Sequence, residues 1–401
     1  MRAGVAQADV APSDLAPSSS IEVLGDRLTL LGFALAPLLQ LRVGATPVAE
    51  MVLFLALMVR GLQALTTGLP MRELSRHSVL LAVATAICVG GFLSGVVNGQ
   101  SLTFDLLKAG LTTFGSIFLV AFAGRTAADR RRLVAALSLG FVILALSGLL
   151  MAPVVNRAVG LTTHPNFLGH SCIMGVAAAL YCRDNTTRRW ASWAWTAAVG
   201  LELVALVQSG SRGSLLGVWV VGMLYVVVGR RTRLIVAMGV LSYFIVVALL
   251  MGVINLPKES AVGRLLGGST ATGADQAREQ GLSDNFRIIT RDPVFGEGFT
   301  LPAHPEDVYF NVHNGYLQAW IAAGVLGAIA VGLLGMLLLV LPFAQPRSTL
   351  PLACGAAGIA LAWAITNIFF TRDQWIYLAL TLRMTVSPLQ RLNARRAGAD
   401  A

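Results

Sequence analysis

Long apolar runs separated by short polar turns repeat along most of the chain. A span needs about 20 mostly apolar residues to cross about 30 Å of hydrocarbon. Such runs fall near 28–43, 47–66, 78–97, 102–123, 132–152, 165–182, 191–208, 213–229, 233–255, 313–341, 350–370 and 374–388. The pattern predicts an all-α polytopic membrane protein with about 12 transmembrane helices, the last being the weakest because it is short and carries Arg383. Residues 256–312 break the rhythm as one long loop rich in Gly, Ser, Asp and Arg. Loops of that length are functional or disordered as a rule. Its second half, Asn285 to Gly296, returns apolar residues among turn signals and predicts a short amphipathic helix resting on the membrane surface. The expected organisation is a disordered tail at 1–26, helices 1–9 over 27–255, the loop at 256–312, helices 10–12 over 313–388, and a tail at 389–401.

Composition sharpens this picture. Only 12% of the 401 residues are charged and 56% are hydrophobic, where a soluble domain carries roughly a quarter charged. A mean hydropathy of +0.72 excludes disordered, collagen-like and disulfide-stapled chains. The net charge of +10 is dispersed at the ends of apolar runs rather than massed on one segment, so it reports topology and not nucleic-acid binding. Alternate loops carry Arg72 and Arg76; Arg125 and Arg130 to Arg132; Arg183, Arg188 and Arg189; Arg230, Arg231 and Arg233; and Arg391, Arg395 and Arg396. The opposite short loops carry single arginines, Arg42, Arg157, Arg212 and Arg372. Basic residues are retained in the cytoplasm, so both termini are expected there and 256–312 outside. The first 20 residues lack the apolar core of a signal peptide. Cys88, Cys172, Cys182 and Cys354 have no CxxC spacing, so neither a metal site nor a disulfide framework is expected. Arg60 and Glu50 are expected to snorkel to opposite faces.

Three polar clusters fall at the expected outer surface. Thr162 to His170 opens the sixth span. There Pro165 suits a first helical turn, Asn166 can bond free backbone donors, and His164 is either a satisfied helix-start residue or part of a substrate-orienting lip. In Gln208-Ser209-Gly210-Ser211-Arg212-Gly213-Ser214, small residues allow close backbone approach, the following helix start favours anions, and Arg212 supplies a forked donor suited to phosphate. His313-Asn314 begins the tenth span. A His at a helix start stays neutral and can accept a proton, although it can equally pack while Asn311 or Asn314 caps. Arg287 and Arg291 on the long loop face the same surface, and one cavity could gather all of these groups. Glu202 lies within the seventh span, where a carboxylate is expensive and marks a functional candidate or a helix-pairing residue. Arg372 and Asp373 either pair with each other or line the same cavity.

These motifs, in this order around one long outer loop, resemble the bacterial O-antigen ligase and polymerase superfamily of membrane glycosyltransferases, which includes exopolysaccharide polymerases. The likeness rests on His164-Pro165-Asn166, Ser209 to Gly213, Arg287 ahead of Asp292-Pro293-Val294-Phe295-Gly296-Glu297-Gly298, and His313-Asn314. The resemblance implies a bacterial inner-membrane enzyme without cofactor or metal that inverts at the anomeric carbon. It would move a glycan from a polyprenyl-diphosphate carrier to a hydroxyl of a glycan or lipid-glycan acceptor at the outer leaflet. It also implies Arg212, Arg287 and His313 as the catalytic groups, with Ser211, Gly213, His164, Asn166, Arg291, Asn314 and Arg372 expected to bind substrate. The rival reading is a transporter or flippase of lipid-linked glycans. Transporters show internal repeats and helices broken near the midplane, and no repeat is evident between the two halves.

Overall fold

The computed structural model describes residues 20–99, 104–154, 156–230, 260–265, 271–299, 314–365 and 371–385. Among them the helices are α1 (Ser20–Leu35), α2 (Val48–Thr67), α3 (Met71–Ser75), α4 (Ser78–Val97), α5 (Phe104–Ala123), α6 (Ala127–Leu150) and α7 (Pro165–Asp184). They continue as α8 (Arg189–Ser209), α9 (Arg212–Val227), α10 (Ala261–Leu265), α11 (Ala271–Arg291), α12 (Gly315–Val340), α13 (Leu350–Trp363) and α14 (Arg372–Met384). The strand content among the described residues is one antiparallel pair of two-residue strands, Arg42–Val43 with Thr46–Pro47. The chain is an all-α membrane protein.

Six of the described helices, α2, α4, α5, α6, α8 and α12, are long and apolar enough to cross a bilayer. Among the described residues, six of the expected twelve meet that measure. Helix α7 has 20 residues, but it carries His170, Ser171, Arg183 and Asp184 and is buried along almost its whole length. It is the hub of the bundle, packed by α6, α8, α9, α13 and α14. A helix solvated by protein can be far more polar than one facing lipid. Helix α14, equally buried and 13 residues long, and the shorter apolar α9 and α13 fall short for the same reason or by length. The run at 233–255 and the tail at 389–401 lie outside the described residues. Helix α1 already starts at Ser20, inside the segment expected to be a tail.

Buried charge also departs from expectation. Arg60 does not snorkel. It is buried, pairs with Asp26 of α1 and donates 2.7 Å to Gln63 Oε1, and Gly25 leaves the room its guanidinium occupies. Arg383 of α14 likewise pairs with Glu73 of α3.

The long loop is tied to the bundle by a break in α12. At Ala323 and Gly324 the backbone leaves helical geometry, with Gly324 at φ 62° and ψ −159°, a region open essentially to Gly. The segment after α11 fills the break. Val325 donates to Val294 O at 3.0 Å, and Glu297 donates to Ile321 O at 2.8 Å. Trp320 Nε1 bonds Pro293 O at 2.8 Å, and Asn98 at the end of α4 bonds Gly296 O at 2.8 Å. Asp292 caps the turn by accepting from Phe295 N at 3.1 Å. The Asp-Pro-Val-Phe-Gly-Glu-Gly motif is thus a clasp that satisfies backbone groups freed by the break, as a membrane-depth discontinuity requires.

The helix before it, α11, is 21 residues rather than short. Its Ile289 packs on Ile321, with Leu317 and Trp320 of α12 alongside, while Leu282 and Phe286 remain exposed.

Candidate functional site

Ser209, Gly210, Ser211 and Arg212 form the turn between α8 and α9, at what is called here the upper end of the bundle. Gly210 closes α8 in the left-handed conformation, φ 67°, where a Cβ costs energy and glycine does not. Ser209 Oγ accepts from Ser211 N at 3.2 Å. Two arginines outside the turn grip its carbonyls: Arg157 Nε donates to Ser209 O at 2.8 Å, and Arg264 Nη1 donates to Gly210 O at 3.0 Å. Arg264, only 5% exposed, comes from α10. Arg212 therefore projects from the first turn of α9 on a backbone held from both sides, and it is partly exposed.

The serines of this motif face inward. Ser211 Oγ and Ser214 Oγ lie 2.8 Å apart, and Ser214 Oγ is 3.3 Å from His170 Nδ1 of α7. A Cβ at Gly169 would meet the Ser211 and Ser214 side chains at 2.8 Å, so the α7 backbone packs directly on the α9 serines here. Ser211 and Gly213, expected to bind substrate, are both buried in this helix contact. Of Ser209 to Ser214, Arg212 is the residue that is partly exposed.

The other candidates fall into three groups. At the start of α7 it is His164, not Asn166, that caps: its Nδ1 accepts from Asn166 N at 3.1 Å. Asn166 instead accepts from Arg157 Nη2 at 3.1 Å, so Arg157 joins the α7 start to the α8–α9 turn. At the start of α12, Asn314 is the cap, accepting from Tyr316 N and Leu317 N and donating 3.1 Å to Ala364 O just past α13. Its side chain is committed to that junction. His313 lies outside the described residues. On α11, Arg287 and Arg291 are four residues apart and exposed, with Arg287 at 3.8 Å from the Asp284 carboxylate.

The elements that carry these groups meet at the upper end. Helices α9 and α13 run antiparallel and cross at Gly217 and Gly358, where an added Cβ on either would lie within 3.0 Å of the other's carbonyl oxygen. Arg212 and Ala364 lie five and six residues beyond that crossing, at similar heights of about 8 and 9 Å for a rise of 1.5 Å per residue. Asn314 is bonded to Ala364, and α11 packs on the first turns of α12.

Arg372 stands apart in its bonding. It does not pair with Asp373. Its Nη1 donates to Glu50 Oε1 at 2.9 Å and its Nε to Ala36 O at 3.0 Å, while Asp373 accepts from Ser171 of α7 at 3.1 Å. Glu202 is 1% exposed and sits where Gly175 of α7 lacks a side chain, with the weak donor Cys172 beside it. Neither carboxyl oxygen has a hydrogen bond of normal geometry among the described residues. Sequence reasoning missed Arg264, because the long loop gave no signal of which of its arginines would turn inward.

The fold and this upper end define an all-helical membrane protein with a braced, cationic helix start. Residues 196–332, about a third of the chain, match the family model described as O-antigen ligase. The match supports the likeness to the O-antigen ligase and polymerase superfamily read from the motifs. It spans α8 to the middle of α12, taking in Arg212, Arg287, Arg291, His313 and Asn314 and leaving out His164, Asn166 and Arg372. At family level this implies glycosyltransferase-type activity on lipid-linked glycans. No curated protein matches the chain.

Proposed function

We propose that the protein transfers a glycan from a polyprenyl-diphosphate carrier to an acceptor hydroxyl, as a ligase or polymerase, with inversion and without a metal. The upper end would be the extracytoplasmic face of a bacterial inner membrane, with both termini in the cytoplasm. The observation that carries this reading is the Arg212 turn. A permanently charged fork stands at a helix start, on a backbone pinned by Arg157 and Arg264, inside the stretch that matches the family.

The acceptor oxygen attacks the anomeric carbon as the bond from that carbon to the diphosphate oxygen breaks. The bonding pair departs with the diphosphate, and the hydroxyl proton passes to His313. Arg212 and Arg287, with the N–H groups of the α9 start, bind the negative charge that grows on the leaving group more strongly in the transition state than before it. His313 as the base contributes about 10² to 10⁴-fold. His164, Asn166, Arg291 and Asn314 shape the cavity around them, and Arg372 borders it.

The test is reconstitution of the purified protein with a lipid-linked oligosaccharide and sizing of the products. A ladder identifies a polymerase and a single addition to a foreign acceptor a ligase. His313→Ala is expected to abolish both with expression unchanged. Glycan crossing the bilayer with no new glycosidic bond would replace this reading with transport. The broken α12 is the feature that favours that rival, but its freed backbone groups are occupied by the Val294–Glu297 clasp instead of lining a cavity.

A further inference from the structure

Helices α2 and α5 frame a groove of about 310 Å³. They touch along it, where Gly115 of α5 admits Leu57 of α2; a Cβ at Gly115 would lie 2.9 Å from Leu57 Cδ1. Phe54, Leu107 and Leu111 form the walls, and Leu119 lies at the lower end. From Leu107 to Leu119 the groove runs about 18 Å along α5 at 1.5 Å per residue. One leaflet is about 15 Å of hydrocarbon, half of the full core, so the groove has the depth of a single acyl chain.

Its mouth is charged. Glu50 Oε1 lies between Arg372 Nη1 at 2.9 Å and Lys108 Nζ at 3.8 Å. Arg372 is buried; its Nε and Nη2 donate to the Ala36 and Leu38 carbonyls at 3.0 and 3.4 Å, which leaves one N–H on each Nη for a phosphate oxygen. Lys108 has a side chain 53% exposed and, among the described residues, the longer contact to Glu50. Two cations to one carboxylate leave a positive excess at the depth where lipid phosphates lie. Arg42, Asp105 and Asp373 do not line the groove, and Asp373 bonds Ser171 of α7 instead. The one carboxylate is already taken by Arg372, so a lipid ammonium or choline group finds no partner here.

We propose that this groove binds an anionic phospholipid of the upper leaflet, with one acyl chain between α2 and α5 and the phosphate at Lys108 and Arg372. The site goes beyond the transfer reaction and meets its proposed cavity only at Arg372. Arg372 is followed by Asp373, which bonds Ser171 of α7, so a lipid here would also steady the junction of α2, α5 and α14.

The experiment is native mass spectrometry of the delipidated, detergent-purified full chain titrated with phosphatidylglycerol or phosphatidylcholine. Phosphatidylglycerol is expected to be retained about fivefold better, the ratio that about 1 kcal/mol per basic residue at an anionic surface gives. Lys108→Glu should erase the preference and Lys108→Arg keep it. Thr112→Trp, which fills the groove, should remove binding of both lipids without lowering the melting temperature. Equal retention of the two lipids by the wild type, or a preference that survives Lys108→Glu, overturns the proposal. So does displacement of phosphatidylglycerol by an equal concentration of polyprenyl phosphate, which would assign the groove to the carrier.

Discussion

Replacing Gly324 by Ala tests the clasp between the long loop and the bundle. At φ 62° and ψ −159° a residue with a Cβ costs about 1–3 kcal/mol in backbone strain alone. The new methyl would also lie 2.1 Å from Val294 O and 2.7 Å from Phe295 O. Both are backbone atoms, so relief requires the loop to retreat. Retreat breaks the 3.0 Å bond from Val325 N to Val294 O, and an orphaned buried donor costs about 1–3 kcal/mol. The two effects sum to about 2–6 kcal/mol, a loss visible as a lower melting temperature in detergent. It should come with new protease sensitivity between Arg291 and Phe299. Gly332→Ala is the control. It lies in the same helix with nothing within 4 Å of the added Cβ, and Ala is the better helix former by about 1 kcal/mol. If Gly324→Ala melts with Gly332→Ala and resists protease equally, the clasp does not hold the loop.

Arg212→Lys should lose transfer activity while keeping expression, because a point charge cannot reproduce the forked contact to a diphosphate; full activity in the reconstituted assay would remove the clamp. Arg264→Ala should slow turnover more than it weakens donor binding, since it frees the Gly210 carbonyl rather than a ligand contact; a change confined to KM would contradict this. Asp26→Ala should destabilise by about 3 kcal/mol or less, the lower side of the cost of stranding a buried charge because Asp26 is half-exposed, and adding Arg60→Met should recover most of the loss in thermal melts. His77, just before α4, is buried with no partner for either ring nitrogen among the described residues, and burial lowers its pKa from 6.5 to about 4. The unfolded chain therefore binds the extra proton between those values, and stability should fall as pH drops from about 6.5 towards 4. His77→Phe should flatten that slope, and an unchanged slope would clear His77.

The membrane class and the helical character of the chain were legible because they depend on local quantities. Twenty apolar residues cross a bilayer wherever they sit, and Ser209 to Gly213 is a turn with a cation whatever surrounds it. The polar character of α7 could not be interpreted from the sequence, since a helix with His170, Ser171 and Asp184 is costly against lipid and cheap against protein. Partner choice was also hidden. Arg60 pairs with Asp26, Arg372 with Glu50 and not with its neighbour Asp373, and Arg264 braces Gly210, each across a gap of tens to hundreds of residues. The clasp shows the division most clearly. Its residues stood out as a motif, but the reason for them is an opening in α12, and a hydrogen bond from Val325 to Val294 exists only once two distant backbones are brought within 3.0 Å. Periodicity and charge bias act along the chain and can be read there; which buried donor meets which acceptor is set by packing in three dimensions, and only the folded bundle decides it.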